Sequence, residues 1–232
     1  MSHDYAGPSY ILSVDLGQAA DPSAVAVLEK TPVPGGLARY VVADLHRFRL
    51  GTEYPDVVSR VAKMARRPEL RPVVETAPRP IAGGKFYMAD PPLEAPKPYL
   101  VIDGTGVGRA IVSMFLAEAM PVVFRPLVIT GGLGSREAAW DERGTKAYWT
   151  AKTELVGAVQ AVLSSGRLEV PRSLALAGTL RKELEGFRVH VTKQAHEVYG
   201  AREGAHDDLL LAVAMGLWVG EHAKKGKRIR VI

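Results

Sequence analysis

Cysteine is absent from all 232 residues. Disulfides, thiolate metal sites and cysteine nucleophiles are therefore excluded, and the composition suits a reducing cytoplasm without requiring one. No stretch approaches 18 uninterrupted apolar residues, which rules out a helical membrane span. The start, Met1-Ser2-His3-Asp4-Tyr5, has no basic stretch followed by an apolar one, so no secretion signal is visible. The chain also lacks internal repeats and a histidine cluster. What is present is ordinary for a globular protein: 47% hydrophobic and 24% charged residues, enough to bury a full core in one large domain. Net charge is +5, from 30 Lys and Arg against 25 Asp and Glu. The last nine residues, Lys224 to Ile232, hold five cations and no anion, so the rest of the chain is neutral. A basic tail suits a polyanionic partner, although a solvated, frayed terminus reads the same way.

The hydropathy pattern predicts strands at 10–16, 23–29 and 39–48, with a Pro/Gly turn at 32–36, and hence an antiparallel meander. A helix is expected over 53–67, ended by Pro68. Residues 68–98 carry eight of the 16 prolines and read as an irregular insertion, with a short strand at 72–75. A strand–turn–helix unit follows from Tyr99 to Met120. The next strand, 121–130, should run parallel to the one ending at Asp103, because a helix crosses between them. Residues 131–150 read as a glycine-rich loop and a hairpin. Helices are expected at 151–164 and 173–185, and a small hairpin at 187–199. Last comes Leu209 to Val219, apolar all round and therefore a buried helix. This order predicts an α/β fold: a mixed sheet of meander plus parallel strands, helices on both faces, in a single domain over 1–223 with a basic tail at 224–232.

Acids stand where burial should discourage them. Asp15 and Asp103 each close an apolar strand, and Asp207 and Asp208 open the apolar helix. An ionised carboxylate beside a core is costly unless it is paired, hydrogen-bonded or bound to metal. If the first and fourth strands are neighbours, their carboxylates converge, and a helix N-terminus alongside adds one or two more. Each acid alone has a plainer reading, Asp15 and Asp103 as turn aspartates and Asp207 or Asp208 as a helix N-cap. Together, carboxylates without histidines form a hard oxygen site that selects Mg²⁺ or Mn²⁺ over zinc. Two such ions ~3.5–4 Å apart can drive phosphodiester hydrolysis.

Three stretches carry a family resemblance: YILSVDLGQAADPSAVAVLE (10–29), VIDGTGVGRAIVSMFL (101–116) and REGAHDDLLLAVAMGLW (202–218). In this order they resemble the C-terminal nuclease domain of phage terminase large subunits, over roughly residues 10–220. The resemblance implies a ribonuclease H-like fold related to Holliday-junction resolvases and integrases. It further implies a metal-dependent endonuclease that cuts concatemeric viral DNA during genome packaging, in the host cytoplasm if phage-encoded. By the resemblance, Asp15, Asp103 and Asp208 take the catalytic, metal-binding positions, with Asp207 as a supporting ligand or as a group that holds the ligands from behind. Lys152 falls where such proteins often place a lysine near DNA, and an exposed helix lysine is the plainer reading. His206 is a candidate to orient an aspartate or contact phosphate, and a polar residue flanking the helix start is the plainer reading. Glu53 and Glu75 are minor candidates as further ligands. A complete terminase carries an ATPase motor upstream, and this chain has no GxxxxGK[ST], only the fragment Gly83-Gly84-Lys85-Phe86. It reads as an isolated nuclease domain or a separately encoded subunit. The implied partners are double-stranded DNA and a terminase motor, small subunit or portal.

DNA must approach a cluster of carboxylates, so a cationic rim is expected. The candidates are Arg136, Arg143, Lys146, Lys152, Arg202 and the tail. Trp140, Tyr148 and Trp149 lie in the same segment, either against DNA or as hairpin packing. No base-reading motif is visible, which predicts weak sequence preference. Alternative readings are a non-catalytic DNA-binding or assembly module, a resolvase-like nuclease, and a sugar-kinase or actin-like protein, whose first strand also ends Asp-Leu-Gly.

Overall fold

A computed structural model describes residues 7–17, 21–74, 80–81, 85–86, 93–105, 108–131, 134–186, 188–191, 197–200 and 206–222. Its centre is β1 (Ser9–Asp15), a mainly apolar strand whose alternate side chains face opposite sides of the sheet. β2 (Ala24–Thr31) and β3 (Arg39–Arg47) continue from it as an antiparallel meander. On the other side of β1 lie β4 (Tyr99–Asp103) and β5 (Val123–Thr130), both parallel to it and joined through α2 (Gly108–Ala117). β6 (Ser135–Ala139) and β7 (Lys146–Ala151) form the expected hairpin. β7 pairs in parallel with β5 and β6 takes the edge. At the opposite edge β8 (Leu168–Glu169) adds two residues parallel to β3. Among the described residues the sheet therefore has eight strands, in the order β6-β7-β5-β4-β1-β2-β3-β8.

Two apolar layers close on this sheet. On one face Leu12, Val14, Val25, Val27, Leu100 and Ile102 pack under α1 (Tyr54–Ala65) and α2. Pro55 opens α1 at a position where its missing N–H costs nothing, and Val57, Val58, Val61 and Met64 form its buried stripe. On the other face Ile11, Ala26, Leu28, Val101 and Leu127 pack under α3 (Lys152–Ser164), α4 (Ala177–Gly186) and α5 (Asp208–His222). α5 is buried along nearly its whole length, which explains its lack of a polar side. Two of its glycines let it lie close to the sheet. A methyl group on Gly216 would stand 2.7 Å from Leu28 Cδ1 and 2.8 Å from Ser13 Oγ, and one on Gly220 would stand 2.7 Å from the Tyr40 ring. Pins at the far end of α5 hold it there: Tyr40 donates to Glu221 at 2.7 Å and Arg167 forks onto the same carboxylate at 3.0 and 2.9 Å.

Most expected elements are present within a few residues of their expected bounds. The helix expected from Ser173 begins at Ala177, because two turns, closed by Leu174 N–H to Pro171 O and Ala177 N–H to Leu174 O, absorb the first residues. β8 is an addition that the sequence pattern did not reveal. Within 68–98 the described segments are a 3₁₀ turn (Pro68–Leu70) and short paired strands, Val73–Val74 with Leu93–Glu94 and Pro80–Ile81 with Lys85–Phe86. A small hairpin joins Arg188–Val191 to Glu197–Gly200. No helix among the described residues is long and apolar enough to cross a membrane.

Candidate metal centre

The last register pair between β1 and β4 is Val14 opposite Ile102. Asp15 and Asp103 are therefore the next residues on two parallel neighbours, at their carboxyl ends and on one face of the sheet. That is the face covered by α5, through Ile11 and Val101. α5 runs with its first turn at the same end, and Asp208, its first residue, is only 3% exposed. Asp15 and Asp103 are 9% and 7% exposed. The three acids placed together by reasoning on the sequence are thus gathered at one end of the sheet, with Asp207 beside them.

Their charges act on one another. Burial pushes the Asp15 carboxyl well above its ordinary value, and Asp103, Asp207 and Asp208 push it further, against an opposing pull from Lys152. Asp103 is raised by burial as well, offset by Thr105, whose N–H donates to Asp103 Oδ1 at 2.8 Å, and by Lys152. Asp208 is raised by burial and held back chiefly by Arg47.

Two cations stand among these acids. Lys152, the first residue of α3, pairs with Asp207 at 3.2 Å. Arg47, at the end of β3, donates from Nε to Asp208 Oδ2 at 2.7 Å and with its other arm to Glu183 of α4. Glu183 in turn accepts the backbone N–H of Leu210 at 2.9 Å, in the first turn of α5. Asp207 begins that helix as its cap residue, its carbonyl accepting the N–H of Leu211 at 2.8 Å.

The donor set fits a divalent cation of the Mg²⁺ or Mn²⁺ class. The acids supply hard oxygen ligands without nitrogen or sulfur among them. Asp208 Oδ1 is buried and accepts no hydrogen bond from another described residue. Such an orphaned oxygen, beside a mutually repelling set of carboxylates, is a position that a bound cation would satisfy. As the side chains stand, no three acids or histidines among the described residues close tightly enough around one point to cage an ion unaided.

No protein-family model matches the chain, and no curated protein does either. Solved structures do. The large terminase nuclease from thermophilic phage G20c with bound magnesium superposes with a TM-score of 0.58 at 20% identity, over 90% of this chain and 80% of that one. The fold is that of a terminase nuclease domain. The large terminase nuclease domain of Thermus phage P74-26 gives 0.56 at 18% identity, over 96% and 84% of the two chains. The human cytomegalovirus terminase nuclease domain, soaked with manganese and bound to an inhibitor, gives 0.52 at 12% identity, over 96% and 87%. The terminase nuclease fold thus spans nearly the whole chain, with its mixed sheet and flanking helices.

Around this framework the other expected residues take varied places. Arg136 is exposed and lies over the Trp149 ring, 4.5 Å from its centroid. Lys146 pairs with Glu137 across the β6–β7 hairpin at 2.7 Å, and Arg143 is exposed in its turn. Trp140 tilts toward Trp149 and its ring lies beside Gly104, next to Asp103. Tyr148 is a core residue, edge-on to Trp218. His206 faces Asp21 at 3.2 Å, and Glu53 is exposed at the cap of α1. Arg202, Glu75 and the tail lie outside the described residues.

Arg47 and Glu183 were not anticipated. Arg47 ends a strand of mixed polarity, and nothing local marks it. Glu183 did leave a signal: it falls three residues after the buried Leu180, on the apolar stripe of α4, where a glutamate needs a partner.

Proposed function

We propose that this chain is a metal-dependent DNA endonuclease of the terminase type, cutting duplex DNA by two-metal phosphodiester hydrolysis. One observation carries the reading. Two buried strand-end aspartates, adjacent in register, share one end of the sheet with a buried helix-start aspartate, one oxygen of which has no hydrogen-bond partner among the other described residues.

Asp15, Asp103 and Asp208 would hold the ions, with Asp207 supporting them through its pair with Lys152. Divalent ions held there would supply Lewis-acid activation of a water and neutralise charge on the phosphate being cleaved. The chain's own residues prepare the ground. Burial at the strand ends keeps bulk water from screening the carboxylates, which strengthens their grip on a cation. Lys152 lowers the carboxylate repulsion that an incoming phosphate meets. Arg136, Arg143 and Lys146 would contribute to an outer rim that holds the DNA backbone, with Arg202 as a further cation from the sequence, and contacts to phosphate alone would give weak sequence preference. The working unit is the domain over 1–223, with the tail at 224–232 as an extra DNA contact. In a packaging machine it would act beside a separate ATPase motor, small subunit or portal.

The ion pairs on Asp207 and Asp208 favour a second reading, a DNA-binding or assembly module whose acids are neutralised by Lys152 and Arg47. Plasmid digestion separates the two. The chain should nick supercoiled plasmid with Mn²⁺ or Mg²⁺ and not with EDTA. Asp15→Asn and Asp208→Asn should each reduce nicking to background while DNA binding survives. Full activity in either folded variant, or DNA binding with no nicking under any divalent ion, would reject the nuclease assignment.

A further inference from the structure

The two oxygens of Asp208 have different fates. Oδ2 is occupied by Arg47 Nε at 2.7 Å, while Oδ1 is buried and accepts nothing from another described residue. Arg47 is itself held from behind, since its second arm binds Glu183 Oε1. The other oxygen of Glu183 accepts the N–H of Leu210 at 2.9 Å, two residues beyond Asp208 on the same helix. The chain of contacts Asp208–Arg47–Glu183–Leu210 is thus a closed ring. It ties the end of β3, the middle of α4 and the first turn of α5 into one unit. Its acidic members are almost wholly inside the protein, with side chains 3% exposed for Asp208 and 6% for Glu183, against 22% for Arg47.

From this we infer that Arg47, braced by Glu183, is the positioning residue for Asp208: it fixes the carboxylate by one oxygen so that the other stays presented to a divalent cation. The inference rests on the metal-dependent reading above. The ring requires an arginine, because a planar guanidinium binds two carboxylates at once from one rigid group, whereas an ammonium is a single point charge. Hydrogen-bonded partners that orient a ligand commonly govern metal affinity about 10–100-fold.

A second effect opposes this one and makes the test decisive. A cation beside a metal ligand also repels the metal. If Arg47 served only as a counter-charge for Asp208, its removal would leave Mn²⁺ affinity unchanged or raise it. As a positioning residue, its removal must lower affinity, because the freed carboxylate can rotate and the first turn of α5 loses its brace.

Calorimetric titration of Mn²⁺ into the full, EDTA-stripped chain distinguishes these outcomes without reference to cleavage. Arg47→Met should bind Mn²⁺ about 10-fold or more weakly than the unsubstituted chain. Arg47→Lys keeps the charge and loses the fork, so it should recover part of that loss. Glu183→Gln keeps an acceptor for Leu210 but weakens the brace, and should give a smaller fall. Circular dichroism melts establish that each variant is folded. Should Arg47→Met fail to fold, Arg47→Lys carries the test, with a several-fold fall expected. Affinity equal to or tighter than that of the unsubstituted chain, in a folded Arg47→Met or Arg47→Lys, overturns the positioning role and leaves the metal reading standing. No Mn²⁺ binding by the unsubstituted chain overturns both.

Discussion

Asp15 sits at the end of a central strand with burial and three other carboxylates acting against its ionised form. In the fold its carboxyl therefore keeps its proton to higher pH than in the unfolded chain, whose ordinary value is 3.8. A native state that binds a proton more tightly is stabilised by it. That contribution is complete below 3.8 and disappears as pH rises through the raised value. With metal stripped away, Asp15→Asn should accordingly raise the melting temperature at neutral pH, by about 2–4 °C for each kcal/mol of repulsion relieved. Mn²⁺ should stabilise the unsubstituted chain at neutral pH and stabilise Asp15→Asn less. A variant that melts at or below the unsubstituted chain in EDTA would contradict the account. Asp15 and Asp103 were legible in the sequence because an acid ending an apolar run is a local anomaly. Arg47 was not, because its significance comes from Glu183 and Asp208, which are 136 and 161 residues away.

At the scale of elements, α5 couples the core to the acids. Its apolar sequence announced a buried helix, and its start at Asp208 fell one residue from the expected position. How closely it lies on the sheet depends on Gly216 and Gly220. Gly216→Val places branched methyls where Ser13 and Leu28 already stand. Overpacking of that kind costs about 1–3 kcal/mol, and α5 relieves it by rising from β1 where Leu28 and Ser13 cannot turn aside. We expect a lower denaturation midpoint together with weaker Mn²⁺ binding, since lifting the helix carries Asp208 away from Asp15. Gly216→Ala should be milder, because its gain in helix propensity, about 1 kcal/mol, offsets part of the clash. A Gly216→Val variant destabilised but unchanged in Mn²⁺ affinity would show that helix depth does not set the centre. Strand β8 marks the other limit of legibility. Two residues carry no periodicity, and Leu168–Glu169 are a strand only because β3 offers them an edge, with Tyr40 N–H donating to Arg167 O at 2.7 Å.

At the scale of the whole molecule, Asp15, Asp103 and Asp208 are gathered at one end of the sheet, and five of the 30 cations of the sequence fall in its last nine residues. Removing residues 224–232 should weaken DNA binding and flatten its salt dependence. The slope of log affinity against log salt should fall by up to about 4.5, at ~0.9 for each phosphate that the tail no longer neutralises. Fluorescence anisotropy across a salt series reads this directly, and an unchanged slope would show that the tail does not touch DNA. Trp140 has a consequence of a different kind. Its ring rests beside Gly104, one residue past Asp103, while Trp218 is buried beneath Tyr148 and His222. Paramagnetic Mn²⁺ bound at the strand ends should therefore quench tryptophan emission where diamagnetic Mg²⁺ does not, and Trp140→Phe should reduce that response, with Trp149, 6.3 Å from Trp140, accounting for a remainder. The unlabelled chain would then carry its own optical gauge of metal binding.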